Sequence, residues 1–408
     1  MPTRRSLYGL DGVNFFVAAI QTGFGVFVTV HLVSQHWPVQ AIGLALTIGT
    51  LSSLVSQMPA GAFIDSLTDK RRAVRLGVVG IGLAALMLAL SSARPVVFCA
   101  QALQGVSSSL IGPGIASISM ALVGRAGFSE RIGRNARFAS IGNGLTAGVM
   151  GFAGSFFLPE AVFLVAAALT VPALLALHLI ERHAPGYLDD ANAIADGGEP
   201  PAVKPSWAGI RALFLDRRLA VFAGSIVLFF AASAAMLQGV TGQASQRHPE
   251  LATLVVAATI LLPQVIVALL APWAGRSADR SGRRPLLLLC WALVPVQGVL
   301  YATAPGPYTL VLGQLLNGVS SAIFGVTMTL VAADLTRGKG QFNLALGALG
   351  VAIAVGASCS TLFAGLVAAW FGATVTYLGL TLTGIAGLLL LWAAMPETRA
   401  VAVEEAVE

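Results

Sequence analysis

Gln101-Ala-Leu-Gln-Gly-Val-Ser-Ser-Ser-Leu-Ile-Gly112 returns, little changed, as Gln314-Leu-Leu-Asn-Gly-Val-Ser-Ser-Ala-Ile-Phe-Gly325. Seven of the twelve positions are identical, at an offset of 213 residues. A second match, Gly61-x-x-x-Asp65 against Gly275-x-x-x-Asp279, lies at an offset of 214. Two nearly equal offsets that carry polar identities mark an internal duplication, and so a chain of two halves built alike.

The surroundings of these segments show what the halves are made of. The chain has 408 residues, 56% of them hydrophobic, and only 10% are charged. A soluble domain carries roughly 25% charge. The mean hydropathy of +0.83 agrees. This composition excludes a soluble enzyme, a disordered chain and a nucleic-acid-binding domain. It predicts an all-α membrane protein, because lipid offers no partner to an unpaired backbone group. Crossing the hydrocarbon takes about 20 apolar residues, and twelve such spans can be drawn: Gly12–Val33, Ala41–Phe63, Val74–Ser92, Val96–Val123, Phe138–Leu158, Ala161–Leu179, Leu219–Ser245, Leu251–Trp273, Pro285–Thr303, Tyr308–Ala333, Leu344–Phe371 and Val375–Met395. The first follows Arg4 and Arg5 and so resembles a signal peptide, yet it is too long for a signal core and reads as an uncleaved span.

Orientation follows from the basic residues. With the N-terminus inside, all 24 Lys and Arg except Arg94 and Arg247 fall on the cytoplasmic side. The net charge of +6 is thereby explained by loops that meet anionic headgroups, without nucleic acid. Residues 182–218, rich in Pro, Gly and Asp, read as a cytoplasmic linker between a first bundle, 1–181, and a second, 219–408. An even number of spans per half makes the repeats parallel. The expected location is the plasma (cell inner) membrane, multi-pass, with both termini cytoplasmic.

Six plus six spans, a central linker and a duplicated loop motif resemble the major facilitator superfamily of transporters over essentially the whole chain. The family's loop signature, G-x-x-x-D-R-x-G-R-R, is complete in its second copy as Gly275, Asp279, Arg280, Gly282, Arg283 and Arg284. The first copy keeps Gly61 and Asp65 and then departs: Ser66, Thr68 and Asp69 stand where a basic residue, a glycine and an arginine are expected. Lys70 keeps the last basic place, with Arg71 beside it. By resemblance these residues latch the halves together on the cytoplasmic face. The helix 4 signature R-x-x-Q-G appears as Gln101-x-x-Gln104-Gly105, without its arginine. The Gly-Pro of exporters is absent from helix 5, and Pro396-Glu397-Thr398-Arg399 closes the last span as in many members.

No Lys or Arg falls in the central part of any predicted span, and Asp11 alone of the acids sits at a span's rim. A charge at mid-bilayer is costly, so its absence argues against a strongly anionic substrate. Asp11 and His31 are the titratable groups expected near a pathway, and so the candidates for proton coupling. Neutral amides recur at helical spacing instead: Asn14 and Gln21; Gln101 and Gln104; Gln238 and Thr241; Gln314 and Asn317; with Gln264 on helix 8. The resemblance makes helices 1, 4, 7 and 10 the cavity walls, so these residues either bind substrate or join helices to one another. Phe15, Phe16, Phe24, Phe27, Phe229 and Phe230 add aromatic surface. The resulting expectation is a monomeric transporter of a small organic molecule, without cofactor or metal and with protons as a coupling partner. Proton-coupled efflux leads by family resemblance, with facilitated or symport uptake of a neutral metabolite as the alternative. No constellation for catalysis appears, so an enzyme is not expected.

Overall fold

A computed structural model of the chain describes residues 3–24, 26–156, 160–181, 215–247, 252–303 and 306–399. The first half holds α1 (Arg4–Thr22), α2 (Val26–Ser34), α3 (Val39–Ser66), α4 (Arg71–Leu90), α5 (Arg94–Ser109), α6 (Ile111–Phe156) and α7 (Ala161–His178). The second holds α8 (Arg217–Arg247), α9 (Ala252–Ser281), α10 (Arg283–Thr303), α11 (Pro307–Leu335) and α12 (Phe342–Ala394). Most of the predicted linker lies outside the described residues.

Ten helical stretches are long and apolar enough to cross a membrane among the described residues. Two of them, Arg94–Met150 with 57 residues and Phe342–Ala394 with 53, are far longer than one crossing needs. Each is broken where a glycine takes a backbone conformation that L side chains avoid, Gly124 at φ 64° and Gly372 at φ 79°. Divided at these turns, the ten stretches make twelve helical segments, the number of spans drawn from the sequence.

Three boundaries differ from the sequence expectation. The first span is two helices, α1 and α2, interrupted around Gly23. The fourth is likewise two pieces, joined at Leu110 just before Gly112-Pro113-Gly114. The third difference matters most. The fifth crossing was expected to begin at Phe138, yet α6 is helical from just beyond Gly124, so Arg131 and Arg134 stand on a helix and not in a loop. Helices outrun the bilayer where charged residues can be paired, and hydropathy alone does not see that extension.

Two apolar cores form. One lies wholly in the first half, with Leu10, Ile20, Ile81, Leu88, Phe163 and Leu177 fully enclosed. The other is built around Phe222, Trp291 and Phe324 of the second half and also takes in Ala116, Phe128 and Ile132 of the first. Large apolar side chains such as Leu362, Leu366 and Trp370 point outward, as lipid contact requires.

The duplication reappears as paired close approaches. A Cβ added at Gly61 would strike the backbone of Asn343, and one at Gly275 the backbone of Ser129; all these positions pair at an offset of 214. Gly133 meets Ala271, and Gly347 meets Gln57, at the same offset. Within the halves, Gly142 lies on the Phe15 carbonyl and Gly356 on that of Val227. The first two pairs cross between halves, α3 against α12 and α6 against α9, and hold the halves together at the basic end of the bundle. Glycine lets helix backbones come this near.

Candidate functional site

The inter-half contact at the basic end is the best-defined polar site. Asp65, at the end of α3, caps the start of α12. Its Oδ1 accepts from the Asn343 backbone N–H at 3.1 Å and from Asn343 Nδ2 at 2.6 Å. Its Oδ2 accepts from the Leu344 N–H at 2.9 Å. A carboxylate here satisfies free N–H groups and suits the positive end of the helix dipole. Asn343 is nearly inaccessible to solvent, and its Oδ1 accepts from Ser117 Oγ of α6 at 2.8 Å. One asparagine thus joins three helices. Sequence reasoning missed it; its one signal was a lone amide at the start of an apolar run.

The second copy is arranged differently. Asp279 Oδ1 accepts from Ser129 Oγ across the interface at 2.6 Å and from Arg283 Nη1 of its own half at 3.2 Å. Arg283 otherwise turns inward, Nε donating to Asp334 at 3.0 Å and Nη1 to the Ala278 carbonyl at 2.6 Å. The degenerate first copy therefore makes more hydrogen bonds between the halves than the complete second. The first half also lacks the Arg283–Asp334 pair as a unit: Asp69 and Ala121 occupy the two equivalent positions.

Lys70 and Arg71 act locally. Lys70 Nζ donates to the carbonyls of Ile64 and Asp65 at the end of α3, at 2.7 and 3.1 Å. Burial draws its ammonium below the usual lysine value, with Asp65 opposing. Arg71 donates to Asp69 and to the Ile180 carbonyl. Burial alone would raise the Asp69 carboxyl; its bonds with Arg71 outweigh this and hold it low. Arg280 contributes its carbonyl, which accepts from Arg399. Gly282, at φ 90°, sits on the Glu397 carboxylate. Glu397 accepts from the backbone N–H groups of Arg283 and Arg284, at 2.8 and 2.9 Å, and so caps α10. Arg284 also donates to the Trp392 carbonyl. The closing Pro396-Glu397-Thr398-Arg399 is in this way fastened to the loop signature.

The amides expected at the cavity divide into two groups. Asn14, Gln101 and Gln314 are buried within their bundles. Asn14 donates to the Leu10 carbonyl of its own helix, and Gln101 packs on Gly49 of α3. Gln21, Gln104, Gln264 and Asn317 remain partly exposed, Gln104 donating to Ser108 Oγ at 3.0 Å. Gln238 and Thr241 lie outside the described side chains. The expected aromatic wall is partly core: Phe229 is buried against Trp291 and Phe324, and Phe24 packs on Phe163.

The two titratable candidates differ in setting. His31 is 1% exposed, its ring edge-on to Phe163. Neither ring nitrogen has a hydrogen-bond partner, and Nδ1 stands 3.8 Å from Glu160 Oε1. Asp11 is engaged on both oxygens, by Arg131 Nη2 at 2.5 Å and by Arg134 Nη2 at 2.6 Å. Arg131, expected in a loop, is instead 4% exposed on the helical extension of α6 ahead of the predicted fifth span. Arg131 and Arg134, three residues apart with Asn135 next, carry helical spacing that could have revealed this cluster.

The model of the Major Facilitator Superfamily matches residues 10–262 and 243–407. Relatives from two strains of Mycobacterium tuberculosis, each called an uncharacterized MFS-type transporter, are 34% identical over 390 residues, covering 95% of this chain and 93% of theirs. Tetracycline resistance protein, class B, of Escherichia coli is 38% identical over 78 residues, 19% of each chain. The crystal structure of a human organic anion transporter is similar with a TM-score of 0.70 at 17% identity, covering 96% of this chain and all of that one.

Proposed function

Because this chain belongs to the Major Facilitator Superfamily, and is therefore a membrane transporter, we propose that it moves a small organic molecule by alternating access, as a proton-coupled exporter of the plasma membrane with both termini cytoplasmic. The halves rock about a crevice bounded by Gln21, Gln104, Gln264 and Asn317. A neutral, zwitterionic or amphipathic substrate suits such a wall better than a phosphate ester. The observation that carries this reading is the duplicated set of glycine contacts, with Asp65 capping α12 across the interface. Such contacts can form and break as a unit at one end of the molecule while the bundles stay intact.

His31 is the group this reading assigns to proton coupling. It is a buried imidazole beside one carboxylate, and imidazole is the side chain whose ordinary titration lies nearest neutrality. A second reading, facilitated or symport uptake of a neutral metabolite, is favoured by Gln101 in place of the signature arginine and by the missing helix 5 Gly-Pro.

Everted vesicles from a pump-deficient host, energised and offered tetracycline and a panel of fluorescent amphipathic dyes, test the choice. Export coupled to protons gives uptake of at least one compound that stops when the pH gradient is collapsed and falls in Asp65→Asn. Uptake indifferent to the gradient removes proton coupling and leaves facilitated transport.

A further inference from the structure

We propose that Asp11 is a positioning residue for the gate: with Arg131 and Arg134 it forms an ionic clamp, present in the first half alone, that fixes the face α6 turns toward α9. This rests on the alternating-access reading above.

The cluster is extensive: Asp11 and Arg131 are enclosed, and Arg134 is about half exposed. Asp11 comes from α1, and both arginines come from α6, one helical turn apart. Arg131 Nε donates to Asn135 Oδ1 at 2.7 Å, Asn135 Nδ2 donates to Ser119 Oγ at 2.7 Å, and Ser119 Oγ donates to the Ile115 carbonyl at 2.7 Å. Arg134 also donates through Nε to Asp11 and lies over the Phe138 ring at 5.5 Å. Two donors on successive turns, held by one carboxylate, fix both the rotation and the height of α6 against α1.

The same stretch of α6 forms the gate. Ser129 meets Asp279 and Gly275, and Gly133 meets Ala271. Arg131 and Arg134 alternate with these residues along the helix and so face away from α9. A roll of α6 by one residue, about 100°, would carry Gly133 off the Ala271 backbone. The clamp resists that roll.

The duplication isolates the clamp as something added to the plan. Phe15 and Val227, which play equivalent parts, set the offset between α1 and α8 at 212; the offset is 214 for α6 and α12, and 213 for the repeated segment. At these offsets Asp11, Arg131, Arg134, Asn135 and Ser119 correspond to Ala223, Ala345, Ala348, Leu349 and Ala332. Every polar member is apolar in the second half, although the glycine contacts beside them are retained. A requirement of folding would have been expected in both halves. A one-sided clamp biases one of the two gate contacts.

The test is double electron–electron resonance between spin labels at Arg72 of the first half and Arg276 of α9, in protein whose Cys99, Cys290 and Cys359 are replaced. Asp11→Asn leaves two guanidinium groups facing each other and is at risk of not folding. The decisive variant is therefore Asp11→Ala with Arg131→Ala and Arg134→Ala, which copies the packing the second half already uses. The clamp predicts a monodisperse variant whose fraction of long, open-gate distances at the basic end rises at least threefold over the wild type. A lower melting temperature with an unchanged distance distribution would show a merely structural cluster and overturn the proposal. If wild type, triple variant and Asp65→Asn all give one fixed distance, rocking itself is wrong, and the clamp falls with it.

Discussion

Asp65 and Asp279 occupy matching places yet do unequal work, and the difference can be measured. Asp65 accepts three hydrogen bonds across the interface, two from free helix N–H groups, whereas Asp279 accepts one there, from a serine hydroxyl. A hydrogen bond to a charged group contributes about 1.5–3 kcal/mol. Asp65→Asn should lower the population closed at the basic end by roughly tenfold or more, since 1.4 kcal/mol is already a factor of ten. Asp279→Asn should change it severalfold less, because Arg283 keeps Asp334 in either case. The spin-label distances and the transport rate check both; equal effects would mean the capping geometry does not control the gate. The partly exposed amides make a second comparison. Gln104→Ala or Asn317→Ala should weaken binding of whichever compound the vesicle screen identifies, with little change in protein abundance. If abundance alone falls, these residues join helices and do not bind substrate.

Helix ends account for much of what was legible and what was not. Pro396-Glu397-Thr398-Arg399 was notable in the sequence only by resemblance; the fold gives it a task, capping α10 through two backbone N–H groups. Burial would raise the Glu397 carboxyl, and the N–H groups of Arg399, Arg283, Arg284 and Thr398 together outweigh it and hold it below the usual glutamate value. A depressed carboxyl adds stability that is complete above the unfolded value and is lost as pH falls through the folded one. Thermal unfolding in detergent should therefore show the wild type losing melting temperature faster than Glu397→Gln between about pH 5 and 3. Parallel curves would remove the cap. The spans themselves were readable because apolar length is a one-dimensional property. Gly124 and Gly372 were not, since nothing local distinguishes a glycine that turns the chain from one that admits a neighbour. Arg131 was read as loop for a related reason: its charge ended the apolar run, but its partner Asp11 lies 120 residues away. Such pairing belongs to tertiary structure, and a hydropathy window cannot contain it.

At the level of the whole molecule, near-symmetry and its local failure make a joint prediction. Gly133 and Gly347 press on the backbones of Ala271 and Gln57 in equivalent contacts. By symmetry alone, Gly133→Leu and Gly347→Leu should open the basic end equally, each overpacking a contact at a cost of about 1–3 kcal/mol. The surroundings of the two helices are unequal, however. Around Gly347, Ala345, Ala348 and Leu349 hold α12 to its own half by no charge, and its tie to Asp65 crosses the interface itself, so that helix can shift within its bundle to accommodate the new side chain. Around Gly133, the clamp from Asp11 holds α6 in place, and the strain has to be relieved by parting from α9. Gly133→Leu should thus give the larger open fraction in spin-label distances. Removing the clamp by the triple alanine substitution should bring the two leucine variants together. Equal opening with the clamp intact, or a difference that survives its removal, would show that the asymmetry in sequence has no mechanical consequence at the gate.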